Sequence, residues 1–380
     1  MKKQLAVRIA LAAVVLFLVG FGFWMYSLPS ARSMEASPIA QAEIDRTLAR
    51  LQPPQRERPL IAIIGLNDAT ETTDYLMPTG ILGRAQIADV VMLASQDGPV
   101  KLYPALNVEA DATIAQFDAQ HQDGADFVIV PAMSRDDDPT VLAWLQSQAM
   151  KGATIIAVCA GAKVVAAAGL LDNKPATTHW FYLKKMLERH PSIRYVPDRR
   201  FVVDERIATT TGVTASMPMM LTLIEAIGGH DKAQAIANEL GLEHWDARHA
   251  SEAFKLTRPF AMTVMSNQVA FWNHEDLGIE LEPGVDEVSL ALVADAWSRT
   301  YRSQAETFVA REGLVTSREG IRIVPDQFAS QWPSARRVSL SNSKPARQLD
   351  ETLAAIADRY GQRTEEVVAM QLEYPRLRTP

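Results

Sequence analysis

Thr154-Ile-Ile-Ala-Val-Cys-Ala-Gly-Ala162 is the stretch of sequence that decides the fold. Its apolar run, Ile155–Val158, is typical of a short β-strand that is buried on both faces. A tight turn follows directly, and the next residues predict a helix that Gly169 ends. Strand, turn and helix together form the context of a nucleophile elbow, which lifts one side chain towards a helix N-terminus. The sequence therefore predicts that Cys159 occupies such an elbow.

Cys159 is the only cysteine in the chain, so it cannot form an intramolecular disulfide. A lone cysteine is most often a buried and inert side chain. In an elbow, however, the dipole of the following helix favours the thiolate, which is the nucleophilic form of cysteine. The residues alone leave both interpretations open.

The composition is that of an ordinary globular protein. The chain has 380 residues, of which 48% are hydrophobic and 22% are charged, and this length is sufficient for two domains. The formal net charge is -7, so we expect no nucleic-acid partner. His244 and His249 do not have the spacing of metal ligands on a helix, and we expect neither a metal nor a cofactor.

The N-terminus carries a membrane signal. Lys2, Lys3 and Arg8 precede an uncharged run, residues 9–26, that reaches the lower limit of about 17 residues for a membrane-spanning helix. Because the basic residues come first, we expect a single-pass anchor in the cell membrane with the bulk of the chain on the periplasmic side. A cleaved signal peptide is the alternative, with a passable cleavage site at Ala31–Ser33. The run is long for a signal peptide, which favours the uncleaved anchor.

The chain divides into four parts, of which the last is a C-terminal extension, residues 241–380. Residues 1–30 form the anchor or signal segment, and residues 31–58 form a linker with one short helix within Pro38–Leu51. Residues 59–240 alternate strands with helices, which predicts an α/β domain whose mostly parallel sheet is covered on both sides. The ends of its buried strands, at Gly65, Pro131 and Val158, are expected to share one crevice.

Four motifs in this region resemble the ThiJ/PfpI superfamily, in the branch that forms the sensor half of AraC-type regulators and isonitrile hydratases. The resemblance covers about Leu60 to Leu240. It implies a flavodoxin-like three-layer sandwich, related to class I glutamine amidotransferases, and a homodimer. The motifs are Val158–Ala162, Ala167–Asp172, Ala176–Trp180 and Thr209–Ala215.

The resemblance also implies roles for individual residues. The reactive cysteine of the family corresponds to Cys159. Its acidic partner corresponds to Asp74, which precedes Met77-Pro78, and Glu71 is the alternative. The histidine of the family corresponds to His179, which acts either as a general base or only as a packing residue under the rim of the pocket.

One oxyanion donor can be placed on this chain, and the second is in doubt. The backbone N–H of Ala160 could hold an oxyanion. The family takes its second donor from a glycine-rich turn, whereas the corresponding turn here, Pro131–Ser134, has no glycine. Ala160 also replaces the histidine of the protease branch and the threonine of isonitrile hydratases, which argues against peptidase activity. The residues expected to contact a small-molecule ligand are Glu71, Ala132, Met133, Gly161 and Trp180.

The C-terminal extension, residues 241–380, carries no helix-turn-helix pattern and no cysteine. A faint internal similarity suggests that it begins a truncated second copy of the same sheet. Val288–Val293 is similar to the first strand, and Gly313–Pro325 is similar to Val90–Pro104, where Asp97-Gly98 predicts a hairpin turn. Chance similarity is the alternative explanation.

Three functions are compatible with the sequence. The first is a small-molecule hydrolase, hydratase or lyase that uses Cys159 with Asp74. The second is a non-catalytic sensing or regulatory module. The third is a redox sensor in which the thiol of Cys159 is oxidised.

Overall fold

The computed structural model describes residues 2–29, 36–53, 56–68 and 70–374. The predicted cleavage site at Ala31–Ser33 lies outside these residues. Helix α1 (Lys2–Ser27) contains the apolar run, and helix α2 (Gln41–Arg50) lies where the short linker helix is predicted.

The next part of the chain alternates strands and helices, as the sequence predicts. Its elements are β1 (Leu60–Gly65), β2 (Thr70–Glu71), α3 (Thr72–Ala85), β3 (Asp89–Ala94), β4 (Val100–Tyr103), β5 (Asn107–Glu109), β6 (Ala112–Thr113), α4 (Ile114–Gln120), β7 (Phe127–Val130), α5 (Pro139–Met150), β8 (Thr154–Ala157), α6 (Gly161–Ala167), β9 (Pro175–Ala176), α7 (Trp180–Arg189), β10 (Arg194–Tyr195), β11 (Phe201–Asp204), β12 (Ile207–Thr210), α8 (Ser216–Gly228) and α9 (His230–Leu240).

The main sheet has the strand order β11-β12-β8-β7-β1-β3-β6. All neighbouring strands are parallel except β11 and β12, which form an antiparallel hairpin. Because β1 lies inside the sheet and the strand order reverses there, the carboxyl ends of β1 and β7 border the crevice in which such sheets bind ligands. The predicted flavodoxin-like α/β fold with a mostly parallel sheet is confirmed.

The central strands are buried on both faces. In β1, Ile61 and Ile63 pack into one apolar cluster with helices α3 and α8, whereas Ala62 and Ile64 pack into a second cluster with α5 and α6. Since side chains alternate along a strand, a continuous apolar run is what a sheet with two covered faces requires.

Strand β4 does not pair back on β3 as a hairpin turn at Asp97-Gly98 would require. It pairs with β5 in an antiparallel and with β2 in a parallel arrangement, in a second sheet. The side-chain amide of Asn67 donates to the carbonyls of Gln96, Gly98 and Pro99, and these bonds direct the chain away from β3.

The C-terminal region mixes helices and strands. Its elements are α10 (Arg258–Val269), β13 (Glu275–Glu280), α11 (Glu287–Ser298), β14 (Ser303–Val309), β15 (Val315–Thr316), β16 (Arg322–Val324), β17 (Gln327–Phe328), β18 (Arg337–Val338), α12 (Pro345–Tyr360) and α13 (Gln362–Gln371).

Four of these strands form a parallel sheet in the order β17-β14-β13-β18, and β15 and β16 extend the second sheet to β15-β16-β5-β4-β2. The predicted strand at Val288–Val293 is wrong, because these residues lie within α11. The carboxylate of Asp286 accepts from the backbone N–H of Ser289 at 2.8 Å and caps the helix. Nearly all of α11 is buried, so its sequence has no polar stripe to distinguish it from a buried strand.

Candidate functional site

Cys159 lies in a strained elbow between β8 and α6. Its φ is +55°, a left-handed conformation that non-glycine residues adopt rarely. Two residues later, a Cβ on Gly161 would lie 2.0 Å from the carbonyl oxygen of Val130. Only glycine therefore allows the first turn of α6 to approach the end of β7 this closely.

Two threonines hold the backbone of the elbow. The N–H of Cys159 donates to Oγ1 of Thr210 at 3.0 Å, and its carbonyl accepts from Oγ1 of Thr178 at 2.9 Å. The backbone N–H of Ala160 hydrogen-bonds the Cys159 thiol and lowers its pKa, the effect expected of an oxyanion donor. The motifs that follow the elbow in sequence therefore fix its geometry.

Glu71 caps the N-terminus of α3 and does not stand free in the site. Its Oε2 accepts from the backbone N–H of Asp74 at 2.6 Å and from the hydroxyl of Thr73 at 2.8 Å. Its Oε1 accepts from Nη2 of Arg299 at 2.6 Å. Both carboxylate oxygens are thus engaged, which leaves Asp74 as the acid with spare hydrogen-bonding capacity.

Asp74 is fully buried in the first turn of α3. Its Oδ2 accepts from the backbone N–H of Ala132 at 3.1 Å, whereas its Oδ1 has no hydrogen-bond partner among the described residues. The turn Pro131–Ser134 is expected to supply a second oxyanion donor. Its Ala132 N–H instead donates a hydrogen bond to Asp74.

Burial raises the pKa of Asp74 well above its usual range, and the neighbouring carboxylate of Glu71 raises it further. Burial also raises the pKa of the Cys159 thiol, and the charges of Asp74 and Glu71 add to this shift. Burial and the neighbouring acids therefore disfavour the ionised forms of both groups, whereas the elbow alone would favour the thiolate.

His179 uses both of its ring nitrogens in structural hydrogen bonds. It caps α7, with Nδ1 accepting from the N–H of Phe181 at 3.2 Å, so Nε2 carries the proton and donates to the carbonyl of Gln371 at 2.9 Å. Burial lowers the pKa of His179, which keeps the ring neutral. The geometry thus corresponds to the packing alternative, and the general-base role stays a prediction.

The end of α13 covers this side of the site. Trp180 donates from its backbone N–H to Glu373 at 2.7 Å and from its indole N–H to the carbonyl of Met370 at 2.9 Å. The hydroxyl of Thr214 donates to the carbonyl of Glu373 at 2.8 Å. Met133 forms an isolated antiparallel β-bridge with Thr70 and is almost fully buried.

Arg299 is a site residue that the sequence did not reveal. It lies at the end of α11 with 14% of its side chain exposed. Its Nε lies 2.8 Å from both carboxylate oxygens of Asp295, and its Nη2 donates to Glu71. Burial raises the pKa of Asp295 to about 7, although Arg299 opposes this shift. Both residues come from the region beyond the recognised motifs, where nothing in the sequence pointed to the site.

Cys159 is only 5% exposed. Two cavities of about 560 and 580 Å³ lie elsewhere on the described part of the chain, one against β13 and β18 and the other against α2 and β11. Neither of these two cavities is lined by Cys159. Within residues 2–29, 36–53, 56–68 and 70–374, no three His, Cys, Asp or Glu side chains converge as metal ligands would.

The chain is similar to known proteins over this domain. The model of the DJ-1/PfpI family matches residues 61–226. An isonitrile hydratase of Pseudomonas putida is 35% identical over 127 residues, which cover 33% of this chain and 53% of that protein. The HTH-type transcriptional regulator GbdR of Pseudomonas aeruginosa is 39% identical over 94 residues, a quarter of each chain. The chain thus spans about half the length, or less, of these relatives.

Among solved structures, Drosophila melanogaster DJ-1beta is 23% identical, with a TM-score of 0.45, and covers 49% of this chain and 100% of its own. The superfamily resemblance carried by the four motifs is confirmed by the family match, within which Asp74, Cys159 and His179 all fall. The chain therefore carries a domain of the DJ-1/PfpI family over residues 61–226.

Proposed function

We propose that this domain is a cysteine-dependent enzyme for a small electrophilic molecule, a hydrolase, hydratase or lyase, in which Cys159 is the nucleophile and Asp74 the acid–base partner. The observation that carries the proposal is the unpartnered Oδ1 of the fully buried Asp74 beside the strained elbow. A buried carboxyl oxygen without a partner costs about 1–3 kcal/mol, and such sites are retained where function requires them.

When Asp74 is protonated, the thiol and the acid can act without a separate base. When the Sγ of Cys159 attacks a carbonyl carbon, an S–C bond forms and the π electrons move to the carbonyl oxygen, which takes a proton. When it attacks the terminal carbon of an isonitrile, the π electrons move to the nitrogen and the lone pair of that carbon takes the proton. In both cases the carboxylic acid of Asp74 donates this proton and its other oxygen takes the thiol proton, so charge and protons balance. The N–H of Ala160 stabilises the developing negative charge.

A second candidate is a module that binds a small molecule without turnover. Three features favour it: the thiol is nearly inaccessible, the amide of Ala132 is committed to Asp74, and the end of α13 covers the site. The transcriptional regulator GbdR shares part of this domain, which is compatible with a regulatory role here.

Alkylation of Cys159 by iodoacetamide tests the state of the thiol, and a panel of substrates separates the proposals. We expect an inflection of the rate well above about pH 8.5, the usual thiol value, because both burial and the nearby acids disfavour the thiolate.

A panel of small aldehydes and isonitriles, offered to wild type and to Cys159→Ser, is expected to show turnover by the wild type alone. Binding of a panel member by both proteins without turnover would support the sensing module. Formation of sulfenic acid in mild peroxide without turnover would support the redox sensor.

We also propose that α1 anchors the protein in the membrane with the domain outside the cytoplasm. Among the described residues, α1 is the one helix that is both long enough and apolar enough to cross a bilayer. Its mean hydropathy over Ala10–Ser27 is 2.0. Arg258 donates to the carbonyls of Met25 and Tyr26 at its end. The adjacent helix α10 and the turn that follows it expose apolar side chains that suit an interfacial position: Met262, Met265 and Val269 on the helix, and Phe271 and Trp272 in the turn.

Membrane fractionation tests the anchor. We expect the protein to stay with the membrane after extraction at alkaline pH, and protease added to spheroplasts to degrade the domain. Replacing Val14 and Leu18 by arginine is expected to release the protein, because each arginine at the centre of the span costs about 2.5–3.5 kcal/mol. Recovery of the wild type in the soluble fraction, with residues 1–30 removed, would instead establish a cleaved signal peptide.

A further inference from the structure

The C-terminal region repeats the first elements of the family domain in the same order. Strand, helix and parallel strand begin at Leu60, Thr72 and Asp89 in the first unit, and at Glu275, Glu287 and Ser303 in the second. Strand β13 and helix α11 each begin 215 positions after their counterparts, β1 and α3. When residues 60–109 are compared with residues 275–324 at this spacing, five of the fifty positions carry the same amino acid in both segments. In the first segment these positions are Ile64, Leu66, Arg84, Gly98 and Val100.

The second sheet relates the two units by a local twofold axis. Val108 of β5 lies directly opposite Ile323 of β16 in an antiparallel pair. Outside this pair, Val100 is the partner of Val108, and Val315 is the partner of Ile323. Val108 and Ile323 are 215 positions apart in the sequence, and so are Val100 and Val315. The order β15-β16-β5-β4 is therefore symmetric about the line between β5 and β16.

The ion pairs between the units obey the same symmetry. Nη2 of Arg84 lies 2.8 Å from Asp286, and Nη2 of Arg299 lies 2.6 Å from Glu71. The two arginines are equivalent at the spacing of 215, and so are the two acids. Each acid also caps its helix, Glu71 on α3 and Asp286 on α11. Reciprocal contacts of this kind are the signature of an isologous interface.

We propose that residues 275–324 are a diverged second copy of residues 60–109, which packs on the first copy where a partner subunit would otherwise bind. The contact supplies Arg299 to the Cys159 site as a positioning residue that holds Glu71. The relation between the two copies stands by itself, whereas the role of Arg299 rests on the proposed function.

The two ends of the interface have diverged. Ser289 stands where the first copy has Asp74, and the chain has no second cysteine. Arg84, the equivalent of Arg299, binds Asp286 and Glu287 at the end that has no thiol. One arginine therefore serves a site and the other serves only the interface, which makes Arg84 a matched control for Arg299.

The proposal predicts that the face formed by α3 is closed within a single chain. The homodimer implied by the family resemblance would then have to use another face.

Glu109 and Arg322 are directly opposite each other in the pair of β5 and β16, and both are half-exposed. In the Cys159→Ser protein, we expect cysteines introduced at these two positions to form a disulfide. The cross-link should form within one chain, giving a monomer in non-reducing gels. A covalent dimer would show that the second copy packs on another molecule, and absence of cross-linking would refute the pairing itself.

The role of Arg299 is tested by the pH profile of Cys159 alkylation, which requires no turnover. Because the Arg299 cation interacts with the thiolate of Cys159, we expect Arg299→Gln to slow alkylation at fixed pH by about tenfold, equivalent to one pKa unit. Arg299→Lys should recover part of the rate, whereas Arg84→Gln should change it less than about twofold even if the fold is weakened equally. Equal effects of the two glutamine variants would overturn the role of Arg299. Formation of the cross-link within one chain, without turnover of any substrate, would overturn the proposed enzyme and the role of Arg299 in it but leave the relation between the two copies intact.

Discussion

Gly161→Ala is expected to lower the free energy of unfolding by about 3 kcal/mol or more, the range of severe overpacking. The added Cβ would lie 2.0 Å from the carbonyl oxygen of Val130 and 2.8 Å from that of Pro131. Both obstacles are backbone atoms at the end of β7, and the sheet cannot move them without breaking its pairing with β8. Urea unfolding followed by far-UV circular dichroism measures the effect.

Gly83→Ala is the control for this substitution. Gly83 also lies in a helix, but its Cβ would approach the Cβ of Glu319, a partly exposed side chain, at 3.2 Å. We expect a change within about 1 kcal/mol, since alanine is the better helix former and the neighbour can move. If the two variants were equally stable, the close approach at Gly161 would not constrain the elbow.

Asp74→Asn is expected to reduce turnover by about 10²–10⁴-fold, the usual contribution of a positioned acid or base. Asparagine has the shape of the neutral acid that the raised pKa of Asp74 implies, so the fold should persist at neutral pH. Steady-state rates on the substrate found by the screen measure the loss. Asp126→Asn is the matched control, because Asp126 is equally buried but binds Arg56 and the N–H of Leu60 at the opposite edge of the sheet.

The stability of the protein should also depend on Asp74 at high pH. The folded pKa of Asp74 is raised above 3.8, so its contribution is fully present below that pH and is lost as the pH rises through the folded pKa. We therefore expect the unfolding free energy of wild type to fall with rising pH more steeply than that of Asp74→Asn. Parallel curves for the two proteins would mean that Asp74 is ionised in the folded state.

The sequence predicts the main sheet well because its signals are local. The apolar run of β1 and the strand, turn and glycine around Cys159 determine their own conformations and need no knowledge of distant residues. The placement of Asp74 and Glu71 near the elbow follows from the motifs of the family domain. The same signals could not show that Ala132 would use its N–H on Asp74, because that bond depends on the path of a glycine-free turn.

The C-terminal region was predictable only in outline. The similarity visible in the sequence pairs Gly313–Pro325 with Val90–Pro104 and predicts a strand at Val288–Val293, whereas the constant spacing of 215 positions aligns Gly313 with Gly98. With five identities in fifty positions, the sequence does not fix the alignment. Arg299 was missed for the same reason, since its role depends on a contact between segments more than two hundred residues apart.

Glu373 contacts Trp180 and Thr214 at nearly the last described position of the chain. During synthesis, the cover over Cys159 therefore cannot form until the ribosome has extended the chain past residue 373. A nascent or prematurely terminated chain would carry an uncovered sulfhydryl group, vulnerable to chemical damage that the finished protein resists. Quality control of translation thus bears directly on how much of this protein reaches its mature state with an intact cysteine.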